Sequence, residues 1–316
     1  KLNPYARIIV REAQRRGIGV DVLDADAGFF TLSFGGRSIT CRESLSELTT
    51  AIAMSRCDDK AITHRILDQA KLRVPGQLAV RDTAQAEGFL ERYGSVVVKP
   101  ARGEQGAGIS VDIRDKDALH DAISAARQHG DIVLLEEYIQ GVDLRIIVID
   151  GRVVAAATRR PPRIQGTGQA TIRELIEKQS RRRRAATDGE SSIPMDAETE
   201  RCVSEAGYGL DDVLPYGHYL TVRKTANLHT GGTIHDVTDR LHPNLIRAAK
   251  AAAAAIDIPV TGLDFIVTDP AEENYVIIEA NERPGLANHE PQPTAERFVD
   301  LLFPNTAGNM PHPSQR

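Results

Sequence analysis

The chain has no tryptophan, and seven tyrosines and seven phenylalanines hold the aromatic share to 4% of 316 residues. Its core must therefore be aliphatic and rich in alanine. Cysteine is scarce too: Cys41, Cys57 and Cys202 are odd in number and widely spaced. No CxxC pair occurs, which argues against a zinc knuckle and a disulfide framework. A reducing, cytoplasmic setting is the simplest expectation. No apolar run approaches the ~20 residues that span a bilayer. The nine histidines include no HExxH, and neither GxSxG nor a Cys–His signature points to a hydrolase. Positive charge is not in excess: 39 Lys and Arg against 44 Asp and Glu leave −5, which opposes a general nucleic-acid binder. The start, KLNPYARIIV, has no apolar signal core and no initiator Met, so it reads as a fragment or processed chain.

What is present is ordinary globular composition, 41% hydrophobic and 26% charged, long enough for two domains or three small lobes. Asn3-Pro4 caps a helix that Gly17 stops. Gly19–Asp24, Phe29–Phe34 and Arg37–Cys41 read as strands, the last two joined by Gly35-Gly36. One helix is expected from about Asp58 to Ala70, with Ile62, Ile66 and Leu67 at core spacing. Strands at 95–99 and 108–113 flank a glycine-rich turn, followed by a helix at 117–128 and a strand at 132–136. Asp150-Gly151 joins strands 144–149 and 152–157. From Thr158 to about Leu220 the chain turns irregular, with Pro161-Pro162, short helical pieces and four consecutive arginines, Arg181–Arg184. Such an excursion usually covers a functional surface. The arginine run reads as a solvated, mobile loop or, more sharply, an anion clamp. A helix at 244–255, strands at 263–267 and 275–279 and a helix at 294–302 complete the chain. Hairpins mixed with helices predict an α+β fold of α/β lobes.

Four segments could carry chemistry. In VVVKPARGEQGAGI (96–109) a strand ends at Lys99, and glycines let backbone N–H groups close on an anion; a plain glycine-rich hairpin is the alternative. In LDFIV (263–267) and VIIEANERPG (276–285), pairing Ile266 with Ile277 places Asp264 opposite Glu279, and Asn281 projects on the same face. Two carboxylates and an amide oxygen on one small face suit a hard cation, Mg²⁺ or Mn²⁺, against the alternative of a solvated strand face. LLEEYIQGVDLR (134–145) offers strand-connecting backbone for a base and Asp143 for ribose hydroxyls. VRKTANLHTGG (222–232) offers Arg223 for carboxylate or phosphate oxygens, or is a surface turn. A lone Lys60 at a helix start would by itself be a solvated side chain.

In chain order these segments resemble the ATP-grasp carboxylate–amine ligases: Lys60 in DDKAITHRILDQAKLRVP, Lys99 before its glycines, the hinge EEYIQGVDLR, and D…E-x-N at Asp264, Glu279 and Asn281. The likeness covers about 57–302. RRPPRIQGTGQATIRELI and TANLHTGG resemble the cyanophycin-synthetase and bifunctional glutathione-synthetase branches. MSRCDDK, RKTANLHTGGTIHDVTDRLHP and NERPGLANHEPQPTAERF resemble the N-acetylglutaminylglutamine-synthetase branch, in which an acetyltransferase half precedes the ligase.

The resemblance implies an N-terminal lobe (1–56), a small grasp lobe with linker helix and glycine loop (57–140), and a C-terminal lobe (141–316) with a lid-like insertion at 158–220. It implies ATP between two lobes. Lys60 and Lys99 would bind the α- and β-phosphates. Gly103, Glu104, Gln105, Gly106 and Gly108 would close over the β- and γ-phosphates. Glu136, the backbone of Glu137, Tyr138 and Ile139, and Asp143 would hold adenosine, and Asp264, Glu279 and Asn281 two Mg²⁺ ions. Arg145, Arg223 and Arg283 are the candidates for acylphosphate and carboxylate oxygens. Some relatives carry an arginine just before Asp264, where this chain has Val260-Thr261-Gly262-Leu263; Arg223 is the expected substitute. Expected partners are small amino-acid or dipeptide substrates, with no nucleic acid or membrane. A homo-oligomer and an absent N-terminal acetyltransferase domain are further expectations.

Overall fold

The computed structural model describes residues 2–103, 107–187, 189 and 191–309. Asn3 accepts a hydrogen bond from the Ala6 N–H at 2.9 Å and starts helix α1 (Pro4–Arg15). Strands β1 (Gly19–Asp24), β2 (Phe29–Phe34), β3 (Arg37–Arg42) and β4 (Leu45–Ser46) form an antiparallel sheet in that order. The helix expected at about 58–70 is α3 (Lys60–Gln69), and a further helix, α2 (Ala51–Asp58), precedes it. The break is at Asp59, an extended residue whose carboxylate caps α3 by accepting from the Ala61 and Ile62 N–H groups.

The chain continues through β5 (Gln77–Ala79), α4 (Thr83–Tyr93), β6 (Val96–Pro100), β7 (Ser110–Ile113), α5 (Lys116–Arg127) and β8 (Val133–Glu137). The strands form an antiparallel sheet of order β5-β8-β6-β7. Next come β9 (Val142–Ile149) and β10 (Arg152–Arg160), joined at Asp150 and Gly151, both with positive φ. That is the geometry a tight hairpin needs from Asp-Gly. β11 (Arg163–Gln165), α6 (Ile172–Ala186), α7 (Ala197–Glu205), β12 (Tyr219–Thr221) and β13 (Thr233–Asp236) lead to α8 (Pro243–Ile256), β14 (Val260–Val267), β15 (Tyr275–Asn281) and α9 (Thr294–Leu302). A five-stranded sheet has the order β13-β10-β9-β14-β15, and β11 pairs with β12.

Two units gather these stretches. Unit one comprises Lys1–Val74, Leu144–Ala157 and Asp236–Arg316; unit two comprises Pro75–Asp143 and Thr158–His235. Unit one packs Ile9, Phe30, Leu32, Ile147, Val260, Phe298 and Leu302 in one core. Unit two has a core under its four-stranded sheet, with Leu90, Val98, Leu119 and Leu135.

The segment 158–220 is more ordered than its composition predicts. The four arginines lie on the 15-residue helix α6, not on a mobile loop. Thr171 and Glu174 form a reciprocal capping box at its start. Ile172, Leu175 and Ile176 on one face pack with Ile164, Ile193, Val203, Leu220 and Val222 in a separate core. The arginines cluster in sequence, but the apolar stripe three and four residues apart builds the helix.

Candidate active site

In unit one the site begins with the register of β14 and β15. From the turn the pairs run Val267 with Tyr275, Ile266 with Val276 and Phe265 with Ile277; then the register shifts, and Asp264 faces Glu279. The expected pairing of Ile266 with Ile277 is therefore off by one, while that of the two carboxylates holds. The reason is a bulge: Ile278 is the extra residue, and without it Asp264 would face Ile278. Asn281 faces Gly262, and its side-chain Nδ2 donates to the Gly262 carbonyl at 3.2 Å. Its amide oxygen is thereby left as an acceptor.

Each carboxylate has a cation. Arg145, on neighbouring β9, grips Asp264 as a fork: Nε donates to Oδ1, and Nη2 donates to Oδ2 at 3.0 Å. A Cβ at position 262 would lie 2.7 Å from Arg145 Nη1 and 2.9 Å from Pro284 Cβ. Gly262 is thus the space that the guanidinium needs. Arg145, from a neighbouring strand, is thus an arginine that contacts Asp264. Lys60 Nζ lies 3.2 Å from Glu279 Oε1, and the lysine is buried, 6% exposed. The solvated reading of Lys60 is overturned: as the first residue of α3 it points inward, onto a carboxylate. Arg283 Nη1 donates to Glu43 Oε2 at 3.4 Å.

The donor set can be tested against a cation. Among the described residues no group of three or more His, Cys, Asp or Glu could hold a metal. What stands here is two carboxylates and an amide, the hard-oxygen set that suits Mg²⁺ when phosphate oxygens and water complete its shell. The neighbouring Cys57 does not compete as a soft ligand. Burial, then the charges of Glu282 and Glu279, push its thiol up to about 12.

In unit two, Lys99 and Glu136 form a buried pair at 2.6 Å, each 3% exposed, and Gln77 Nε2 donates to Glu136 Oε1 at 2.8 Å. Burying two charges costs desolvation that an apolar pair would avoid, so such a pair is weak evidence for stability and a candidate for function. The Glu137 and Tyr138 N–H groups donate to the Gly76 and Ser95 carbonyls. A base edge cannot use those two donors, which narrows the expected adenosine contact to the hinge carbonyls and Ile139. Asp143 accepts from Arg159, Nε at 2.8 Å and Nη2 at 2.7 Å. Glu104, Gln105 and Gly106 lie outside the described residues. Gly103 and Gly108 flank them with φ of 138° and 68°. A Cβ on Gly108 would come within 2.7 Å of the His129 ring.

Arg223 is buried in unit two. Its Nη1 donates to Asp196 Oδ1 at 2.5 Å and to Thr199 Oγ1 at 2.8 Å, which ties it to the start of α7, while its buried Nε has no partner. Lys224 bridges Asp112 at 3.0 Å and Glu205 at 2.8 Å. Sequence reasoning missed Gln77 and Arg159, which no motif marks, and the Arg145–Gly262 contact, for which the glycine two residues before Asp264 was the only signal.

The fold and these residues define a class. Residues 57–164 match the family model of the RimK-like ATP-grasp domain. The chain resembles a bifunctional glutathione synthetase from Pasteurella multocida, with a TM-score of 0.66 at 20% identity over 96% of this chain and 44% of that one. It also resembles D-alanine–D-alanine ligase from Bacillus anthracis, with a TM-score of 0.53 at 16% identity over 82% of this chain and 70% of that one. These likenesses establish the fold.

Residues 57–164 thus carry a RimK-like ATP-grasp domain. In sequence it is 35% identical to cyanophycin synthetase of Trichormus variabilis, over 98% of this chain and 36% of that protein. It is 27% identical to the glutathione biosynthesis bifunctional protein GshAB of Clostridium perfringens, over 94% of this chain and 40% of that protein. The chain thus spans a little over a third of the length of these curated relatives.

Proposed function

We propose that the chain is an ATP- and Mg²⁺-dependent carboxylate–amine ligase. The observation that carries this reading is the pairing of Asp264 with Glu279 across the bulge, with Asn281 on the same strand face. In this reading Asp264, Glu279 and Asn281 hold the divalent ion, whose chemistry when bound is to neutralise phosphate charge. Lys99, oriented by Glu136, meets phosphate, and Asp143, oriented by Arg159, accepts from ribose. Arg145 and Arg283 attract carboxylate or acylphosphate oxygens. Arg223, tied to the start of α7, is the third candidate for those oxygens. The substrate carboxylate attacks the γ-phosphate, ADP leaves, and an amine displaces phosphate from the acylphosphate to form an amide. Electrostatic positioning does most of the work, as in other phosphoryl transfers.

For the substrates we take the amino-acid and peptide class, and within it the coupling of N-acetylglutamine to glutamine. Cyanophycin- or glutathione-synthetase-type coupling is the alternative. Growth of a polymer end is a second reading, favoured by Arg181, Arg182 and Arg184, which stand exposed on α6. The division into 1–56, 57–140 and 141–316, with 158–220 over the acceptor, belongs to the same proposal.

The test is incubation with ATP, Mg²⁺ and paired amino acids, N-acetylglutamine with glutamine first, following ADP and phosphate. Release above the ATP-only rate is expected for one pair. No release with any pair or any macromolecular acceptor would overturn the ligase reading.

A further inference from the structure

We propose that Lys224 is a positioning residue: held by Asp112 on β7 and by Glu205 at the end of α7, it locks the 222–232 segment to the strand that follows the glycine-rich turn, so that both parts of unit two move as one piece. The proposal deepens the ligase reading given above and rests on it for the role of Arg223.

The link starts at a bulge. Asp112 lies within β7 yet has φ of +61°. Val96 pairs with Ile113 and Val98 with Ser110, so two steps along β6 match three along β7. A bulge re-aims a side chain. A residue with a β-carbon is strained in this left-handed conformation, and Asp bears it better than most. The re-aimed carboxylate accepts from Ser95 Oγ at 2.7 Å, Arg114 Nε at 2.7 Å and Lys224 Nζ at 3.0 Å. Ser95 and Arg114 flank the same pair of strands, whereas Lys224 comes from 112 residues further along the chain.

Lys224 Nζ also meets Glu205 Oε2 at 2.8 Å. Burial opposes the charge on this lysine, but its hydrogen bonds to Glu205 and Asp112 outweigh that and raise its pKa, so the link is ionic at neutral pH. Arg201 of α7 pairs with Glu205 as well, and its Nη2 donates to the Val111 carbonyl at 3.3 Å, a second tie from α7 to β7. The neighbouring Arg223 is held by Asp196 and Thr199 at the other end of α7. Helix α7 thus grips residues 223 and 224 from its two ends, and Asp112 fastens that grip to β7. All of these groups belong to unit two. Arg114 neutralises Asp112 from beside it, and Arg201 neutralises Glu205 from within α7; Lys224 bridges the two acids.

Two measurements test this, one of them without turnover. Hydrogen exchange read by mass spectrometry follows each segment. Asp112→Asn keeps a side chain that accepts the same backbone conformation, and Lys224→Met keeps the length. Each change is expected to speed exchange about tenfold in the segment it does not belong to, 222–232 for Asp112→Asn and 107–113 for Lys224→Met, the factor for one lost hydrogen bond to a charged group. The double variant should be no faster than the faster single one, because both remove the same link. Lys224→Arg should bring exchange back toward wild type. Effects confined to the altered segment, or effects that add in the double variant, would overturn the proposal.

The second measurement is amide formed per ADP released, with the substrate pair that the wild type accepts. When Arg223 is poorly placed, water displaces phosphate from the acylphosphate, which regenerates the carboxylate while ADP still accumulates. The ratio is expected to fall about twofold or more in Lys224→Met and to recover in Lys224→Arg. A variant that had only lost folded protein would lose both products together and keep its ratio, so an unchanged ratio overturns the positioning role. No ADP release by the wild type with any pair would instead overturn the ligase reading, while the exchange results decide the link on their own.

Discussion

Asp264 and Glu279 oppose one another because Ile278 bulges out of register, and their neighbours show how much a single residue decides. Glu279→Gln keeps the shape of the side chain and removes the charge. We expect ADP release to fall by about a hundredfold or more, with the thermal unfolding midpoint kept within a few degrees; coupled ADP assay and calorimetry check the two halves. Gly108→Ala puts a Cβ where φ is +68° and the His129 ring stands 2.7 Å away. A loss of about 1 kcal/mol is expected in urea unfolding, because a backbone at that φ is strained for any residue with a Cβ. Asp112 supplies a pH prediction. Burial raises its pKa, but hydrogen bonds from Arg114, Ser95 and Lys224 outweigh that and hold it at about 2. A depressed carboxylate contributes stability above its unfolded value near 4, and that contribution is lost as pH falls toward 2. Asp112→Asn should therefore show a shallower loss of stability than wild type across that interval in acid titration. Sequence pattern singled out Asp264, Glu279, Asn281 and Lys99 as candidates. The burial of Lys60 was not legible from its pattern alone, because a lysine in a helix start is polar whether it points out or in, and only packing selects the direction.

At the scale of elements, most strands and helices follow from local chemistry. Asn3, Gly17, Gly35-Gly36 and Asp150-Gly151 mark boundaries because few other residues fit those caps and turns. Two elements escape that reading. α2 hides because it buries only Ala53 and Cys57, too little for a clear apolar stripe. α6 hides behind its arginines, although its core stripe is regular. Arg181, Arg182 and Arg184 are exposed, so changing all three to alanine should alter stability by no more than about 0.5 kcal/mol each. Thr171→Ala removes half of the capping box and should cost about 1 kcal/mol, read as faster amide exchange over 172–186. If the arginines cost more than the cap, the account of what builds this helix is wrong.

At the scale of the whole molecule, a chain of net charge −5 buries a few of its cations, Lys60, Lys99 and Arg223 among them, each beside a carboxylate. Among the described residues no helix is long and apolar enough to cross a membrane. Chelation with EDTA should abolish ADP formation while leaving the far-ultraviolet circular dichroism unchanged, because the donor oxygens sit on a hydrogen-bonded hairpin that forms without the ion; a collapse of the spectrum would make the metal structural. The sequence by itself determined the α+β class, the ATP-grasp resemblance and which residues are candidate oxygen donors, since turn chemistry, strand alternation and ligand type are local properties. Tertiary structure alone decided that Arg145 fills the space above Gly262, that Lys60 turns onto Glu279 and that Arg223 pairs with Asp196 at the start of α7. Those outcomes depend on which charge finds which partner across sequence separations of 27 to 219 positions, a choice made by packing and desolvation that no short stretch of sequence encodes.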